Sequence, residues 1–109
     1  MKIDHIPFTN ICWADQSILE SAGETGASHA KTVRVGDITM RMVEFSPGYR
    51  ADHWCAKGHV VFVLEGSLTT ELDDGRSFQT AAGNSFHVGD DDGQHRASTE
   101  TGAKVFIVD

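Results

Sequence analysis

From Pro47 to Gly66 the chain reads Pro-Gly-Tyr-Arg-Ala-Asp-His-Trp-Cys-Ala-Lys-Gly-His-Val-Val-Phe-Val-Leu-Glu-Gly, and it holds His53, Cys55 and His59 at spacings that suit one metal ion. On a β-strand, residues two apart share a face, so His53 and Cys55 are expected to project together and Trp54 to project oppositely. Lys57-Gly58 reads as a tight turn, which brings His59 back at the start of a returning strand. His95, on a later segment, supplies a fourth donor. Imidazole nitrogens with one thiolate form the donor set that tetrahedral Zn²⁺ favours, and iron, copper and nickel also accept such ligands. The bland alternative is a group of buried His and Cys residues that serve packing and internal hydrogen bonds.

Placing those donors requires a strand-rich scaffold, and the punctuation of the chain provides one. Glycine and short polar clusters recur at intervals of about 8–12 residues, the rhythm of an all-β sandwich or barrel. Lys31 to Val35 and Ile38 to Phe45 read as strands joined by Gly36-Asp37. Arg50 to Ala56 and His59 to Leu64 are the expected metal-bearing hairpin. Ser67 to Leu72 and Arg76 to Thr80 flank Asp73-Asp74-Gly75, whose Asp-Gly pair is a hairpin signal. Asn84 to Val88, Gln94 to Ser98 and Lys104 to Val108 complete the set. Among the first thirty residues, Phe8, Ile11 and Trp13 suggest an outer strand over the barrel, Asp15 to Ser21 a helical turn, and Gly23 to Ser28 a loop.

Composition narrows the class. A chain of 109 residues with 39% apolar and 23% charged side chains is expected to form one small globular domain. Sixteen acidic against nine basic residues give a net charge of −7, which opposes binding to a phosphate backbone, and no nucleic-acid partner is expected. No apolar run approaches the ~20 residues of a membrane span, and the start of the chain lacks a signal-peptide pattern, so the expectation is a cytoplasmic protein without a membrane partner. Cys12 and Cys55 are then expected to be free thiols.

The motif region resembles the cupin superfamily, whose first motif runs Gly, His five residues on, His two later, Glu four later and Gly seven later. Gly48, His53, Cys55, His59 and Gly66 fall on those positions, with Cys55 in place of the second His and His59 in place of the Glu. Gly83, Ser85 to Val88 and His95 resemble the second motif, although its Pro-x-Gly is missing and the Asp90-Asp91-Asp92-Gly93 turn is one residue longer. The likeness spans residues 31–109 and is nearest to small, functionally uncharacterised cupins marked by an Asp-His-Trp-Cys cluster, here Asp52 to Cys55.

That resemblance implies an all-β, single-domain cupin-type jelly-roll β-barrel over residues 31–109, with residues 1–30 packing on or extending it. It also implies an interior metal site of His53, Cys55, His59 and His95. The usual three-His, one-Glu set is harder than this one, so zinc heads the expected divalent metals. Superfamily members include dioxygenases, isomerases, epimerases, sugar sensors and storage proteins. Two function classes are therefore carried: a metal-dependent oxygenase, isomerase or lyase on a small polar metabolite, and a non-catalytic module that senses a small ligand or the metal. His87, Glu71 and Arg41 are candidate pocket-lining residues; no catalytic residue is assigned. An open sheet edge and the large apolar residues Trp13 and Trp54 point to a homodimer.

Overall fold

The computed structural model describes residues 3–109. A short 3₁₀ turn, Trp13–Asp15, precedes eight strands: β1 (Leu19–Ala22), β2 (Ala27–Val35), β3 (Ile38–Phe45), β4 (His59–Leu72), β5 (Ser77–Ala81), β6 (Ser85–Val88), β7 (His95–Ser98) and β8 (Ala103–Val108). Among the described residues no helix is long and apolar enough to cross a membrane.

All pairing is antiparallel, and β4 belongs to two sheets. Its first half pairs with β8 and β6 in a sheet that continues through β3 and β2 to β1. Its second half pairs with β5 and β7. The strand turns the corner at a register irregularity between Val63 and Glu65, followed by Gly66 at φ 75°. A Cβ at Gly66 would collide with the Gly102 carbonyl oxygen, so the corner admits glycine alone without backbone movement. The His59-to-Leu64 and Ser67-to-Leu72 strands expected separately are thus one bent strand.

The corner also resets which residues face inward. Val61 and Val63 point into the barrel before it, and Leu68 and Thr70 after it. Together with Val43, Ala103 and Val105 these valines and Leu68 form the buried core, against which Phe45, Phe86 and Ile107 pack.

Three expectations fail. Asp15 to Ser21 forms no helical turn: the 3₁₀ turn ends at Asp15, and Leu19 to Ser21 lie in β1. No strand forms over Phe8 to Trp13; Phe8 is 96% exposed, and Trp13 sits in the 3₁₀ turn with its ring edge-on to Phe106 at 6.1 Å. More consequentially, Arg50 to Ala56 does not form a hairpin with β4. It runs instead beside β7, tied by Ala51 N–H to the Ala97 carbonyl at 2.9 Å and by a reciprocal Cys55–His95 pair at 2.8 and 2.9 Å. Four residue steps, from Ala51 to Cys55, thus match two steps on β7, from Ala97 to His95. The surplus bulges out as a bend at Asp52-His53.

Replacing Gly66 with alanine should cost about 2–5 kcal/mol, because it combines positive-φ strain with a backbone collision. Thermal unfolding should show the midpoint falling by more than about 10 °C; an unchanged midpoint would contradict the corner as described.

Candidate metal centre in the barrel

The inward faces of β3, β4, β7 and β8 enclose a cavity of about 290 Å³, at the low end of the size range of small-molecule pockets. His53, Cys55, His59, His95 and Arg41 all line it, among apolar neighbours such as Val43, Val61, Phe86 and Ile107. The four donors are not equally placed.

His59 and His95 are brought together. Their Nε2 atoms stand 3.1 Å apart with the rings nearly perpendicular, at 86°. Both residues are largely buried, with 14% of the His59 side chain and 7% of His95 exposed. Burial, and then repulsion from His95, depress the His59 pKa to about 4; burial likewise lowers that of His95. Both rings are therefore neutral at neutral pH, the form in which imidazole binds metals. Two nitrogens bound about 2.0–2.1 Å from one tetrahedral ion stand roughly 3.3–3.4 Å apart, so this pair already has nearly the spacing that a shared ion requires.

Cys55 is the next neighbour. Its backbone exchanges both hydrogen bonds with His95, which places the two side chains on one side of the ladder. Its sulfur accepts a hydrogen bond from the Lys57 amide at 3.4 Å. His53 lies furthest out. The bend leaves its side chain 76% exposed, with Nδ1 2.6 Å from Asp52 Oδ1. His53 and Cys55 both border the cavity, but from a bent segment rather than the regular strand on which alternation would set their faces. Among the described residues no three His, Cys, Asp or Glu side chains converge closely enough to hold a metal ion.

The other pocket candidates divide. Arg41 faces the cavity and donates from Nη1 to Asp109 Oδ2 at 3.1 Å. His87 faces outward: it pairs with Val60, while its neighbour Phe86 pairs with the inward Val61. It lines a separate surface depression. Glu71 also faces outward, because the corner at Gly66 shifts the alternation by one. There it binds Arg96 at 3.1 Å and lies 3.7 Å from Arg50. Trp54, offered by the sequence as a residue for a second subunit to cover, stacks on the Arg96 guanidinium at 4.5 Å.

Asp109 was not singled out by sequence reasoning, yet it organises the mouth of this site. Its side chain is 2% exposed and lies beside Arg41, beside Lys57 Nζ at 3.3 Å and near His59 Nδ1 at 3.9 Å. The Lys57 contact is an ion pair that falls short of hydrogen-bond geometry. The alternation Ala103, Val105, Ile107 along β8 carries the signal, since it turns position 109 inward as well.

No protein-family model matches the sequence, and no curated protein aligns with it significantly. Solved structures do resemble it. An RmlC-like cupin from Shewanella frigidimarina superposes with a TM-score of 0.75 at 19% identity, over 94% of this chain and 90% of that one. The polyketide cyclase RemF from Streptomyces resistomycificus gives 0.73 at 19%, over 94% and 78%. Fe(II)-HppE gives 0.73 at 17%, over 94% of this chain and 60% of its own. These likenesses, with the bent strand shared by two antiparallel sheets, identify the architecture: the chain folds as a cupin jelly-roll β-barrel.

Proposed function

We propose that the barrel holds one divalent transition metal and that the protein is a metal-dependent enzyme, an oxygenase, isomerase or lyase, acting on a small polar metabolite. The observation that carries this reading is the neutral His59–His95 pair, whose Nε2 atoms meet at 3.1 Å on the wall of an interior cavity. Cys55 is the third ligand, reached by rotating a side chain already on the same side of the ladder. His53 is the fourth, once it leaves Asp52. Zinc suits this nitrogen and sulfur set best, with iron, copper and nickel as alternatives. The Fe(II) carried by one of the structural neighbours supports metal binding by this architecture. A bound ion would supply Lewis acidity toward a substrate oxygen or water. The chain's own contribution is to keep the two imidazoles unprotonated, to exclude water with apolar walls and to hold the ligand inside.

One observation favours a second reading, a binding module without catalysis. Glu71 and His87, the two candidate pocket-lining residues whose side chains could move a proton, both face away from the cavity. A sensor would bind ligand and form no product.

The homodimer belongs to the same proposal. Val60, Phe62 and Leu64 make a row on the outer face of β4 and are 48%, 41% and 39% exposed, an apolar stripe suited to a second copy of the chain. Phe62→Glu should shift sedimentation from dimer to monomer; a wild-type chain that already sediments as a monomer would contradict it.

Tag-free protein should take up about one zinc per chain. His59→Ala and His95→Ala should each reduce that occupancy at least about tenfold, measured by elemental analysis after dialysis. Full occupancy in both variants would remove the proposed centre.

In metal-free protein, His59 stays neutral down to about pH 4, whereas its unfolded form takes up a proton near the ordinary value of 6.5. Between those values the unfolded state binds more protons, so stability falls as pH drops through that window, by up to about 3 kcal/mol. Denaturant unfolding at a series of pH values should show this decline, and His59→Gln should flatten it. An equally steep decline in the variant would contradict the assignment.

A further inference from the structure

Thr70 is a buried hydroxyl without a partner. It lies on the inward face of β4 beyond the corner, is 5% exposed and lines the same cavity as the histidines. Its Oγ1 makes no hydrogen bond to any described residue. Burying a hydroxyl unpaired costs about 1–3 kcal/mol, so a group that enters the cavity and bonds to it recovers that loss. Arg41 lies on the wall formed by β3, in the other sheet. One of its N–H groups serves Asp109, and no other hydrogen bond of its guanidinium joins it to a described residue. Arg41 and Lys57 both lie beside Asp109 at this end of the barrel, so two cations stand at its mouth.

We propose that the cavity binds a small organic anion, its carboxylate held by Arg41 and a second oxygen by the Thr70 hydroxyl. This deepens the reading of the barrel interior as a small-molecule site and rests on it. A guanidinium with free donors matches a carboxylate in charge and in planar geometry. The hydroxyl on the far wall selects a second polar atom on the same molecule, and the apolar residues between accommodate a short carbon skeleton. The cavity size limits the ligand to a small metabolite.

The test is calorimetric titration at fixed ionic strength with malonate and with its neutral diamide, malonamide, on metal-free and zinc-treated protein. Malonate should bind and malonamide should bind at least about tenfold more weakly. Thr70→Val removes the hydroxyl at nearly constant shape. It should weaken malonate about five- to tenfold while leaving the thermal midpoint of ligand-free protein unchanged or raised. Arg41→Gln should weaken malonate by about tenfold or more; because it also disturbs Asp109, the Thr70 variant carries the decision. Zinc content is measured in parallel. Malonate binding with the expected variant effects supports the anion site even in protein that takes up no zinc, a result that would remove the metal proposal alone. Equal affinity for malonate and malonamide, no malonate binding up to about 10 mM, or unchanged malonate affinity in Thr70→Val overturns the anion site, and normal zinc uptake then leaves the metal proposal standing.

Discussion

Two imidazoles 3.1 Å apart inside a barrel cannot both carry a proton charge. That constraint governs the site. In the free chain one ring donates to the other, so one Nε2 carries the shared proton and the other accepts it, and the pair stays neutral. Burial enforces the same outcome by disfavouring the charged form of each ring. Both effects keep the pair uncharged.

The backbone achieves this by bending one strand. β4 delivers His59 from its first half, in the sheet with β3 and β8, while its second half anchors β7 and therefore His95. Gly66 is the pivot, since only a residue without Cβ passes Gly102 at that corner. The same turn shifts the alternation, so that Thr70 rather than Glu71 faces the cavity. The depth of the site, the orientation of the pair and the identity of the lining residues thus all follow from one strand changing sheets. Asp109 balances Arg41 and Lys57 beside this pair, which keeps two cations close to a neutral ring.

Much of the architecture was legible from pattern alone. Gly36-Asp37 marked the turn between β2 and β3, Asp74-Gly75 the turn before β5, and the later strand positions fell within a residue or two of those expected. The convergence of His59 and His95 followed from the motif spacing. What was not legible depended on tertiary register. The Asp52-His53 bend arises from four residue steps matching two on β7, and nothing local to Arg50–Ala56 announces that mismatch. The outward turn of Glu71 follows from an irregularity set by contact with Gly102, far along the chain. The parity of Asp109 on β8 was readable, but a lone Asp at the end of a strand carries no motif that marks it as part of a site. The N-terminal residues defied pattern reading for a physical reason: Phe8 is exposed and Trp13 packs alone on Phe106, so no alternation exists to detect.

The central claim is that His59 and His95 are both neutral and that the Nε2 atoms now joined to each other are the pair proposed to take a metal ion. Long-range proton–nitrogen correlation spectra of the histidine rings, recorded near pH 6 before and after adding one equivalent of zinc, test it most directly. The account predicts two neutral imidazole rings in the free protein and a simultaneous shift of both Nε2 resonances on addition of metal. A protonated ring at that pH, or a response confined to one of the two histidines, would contradict it.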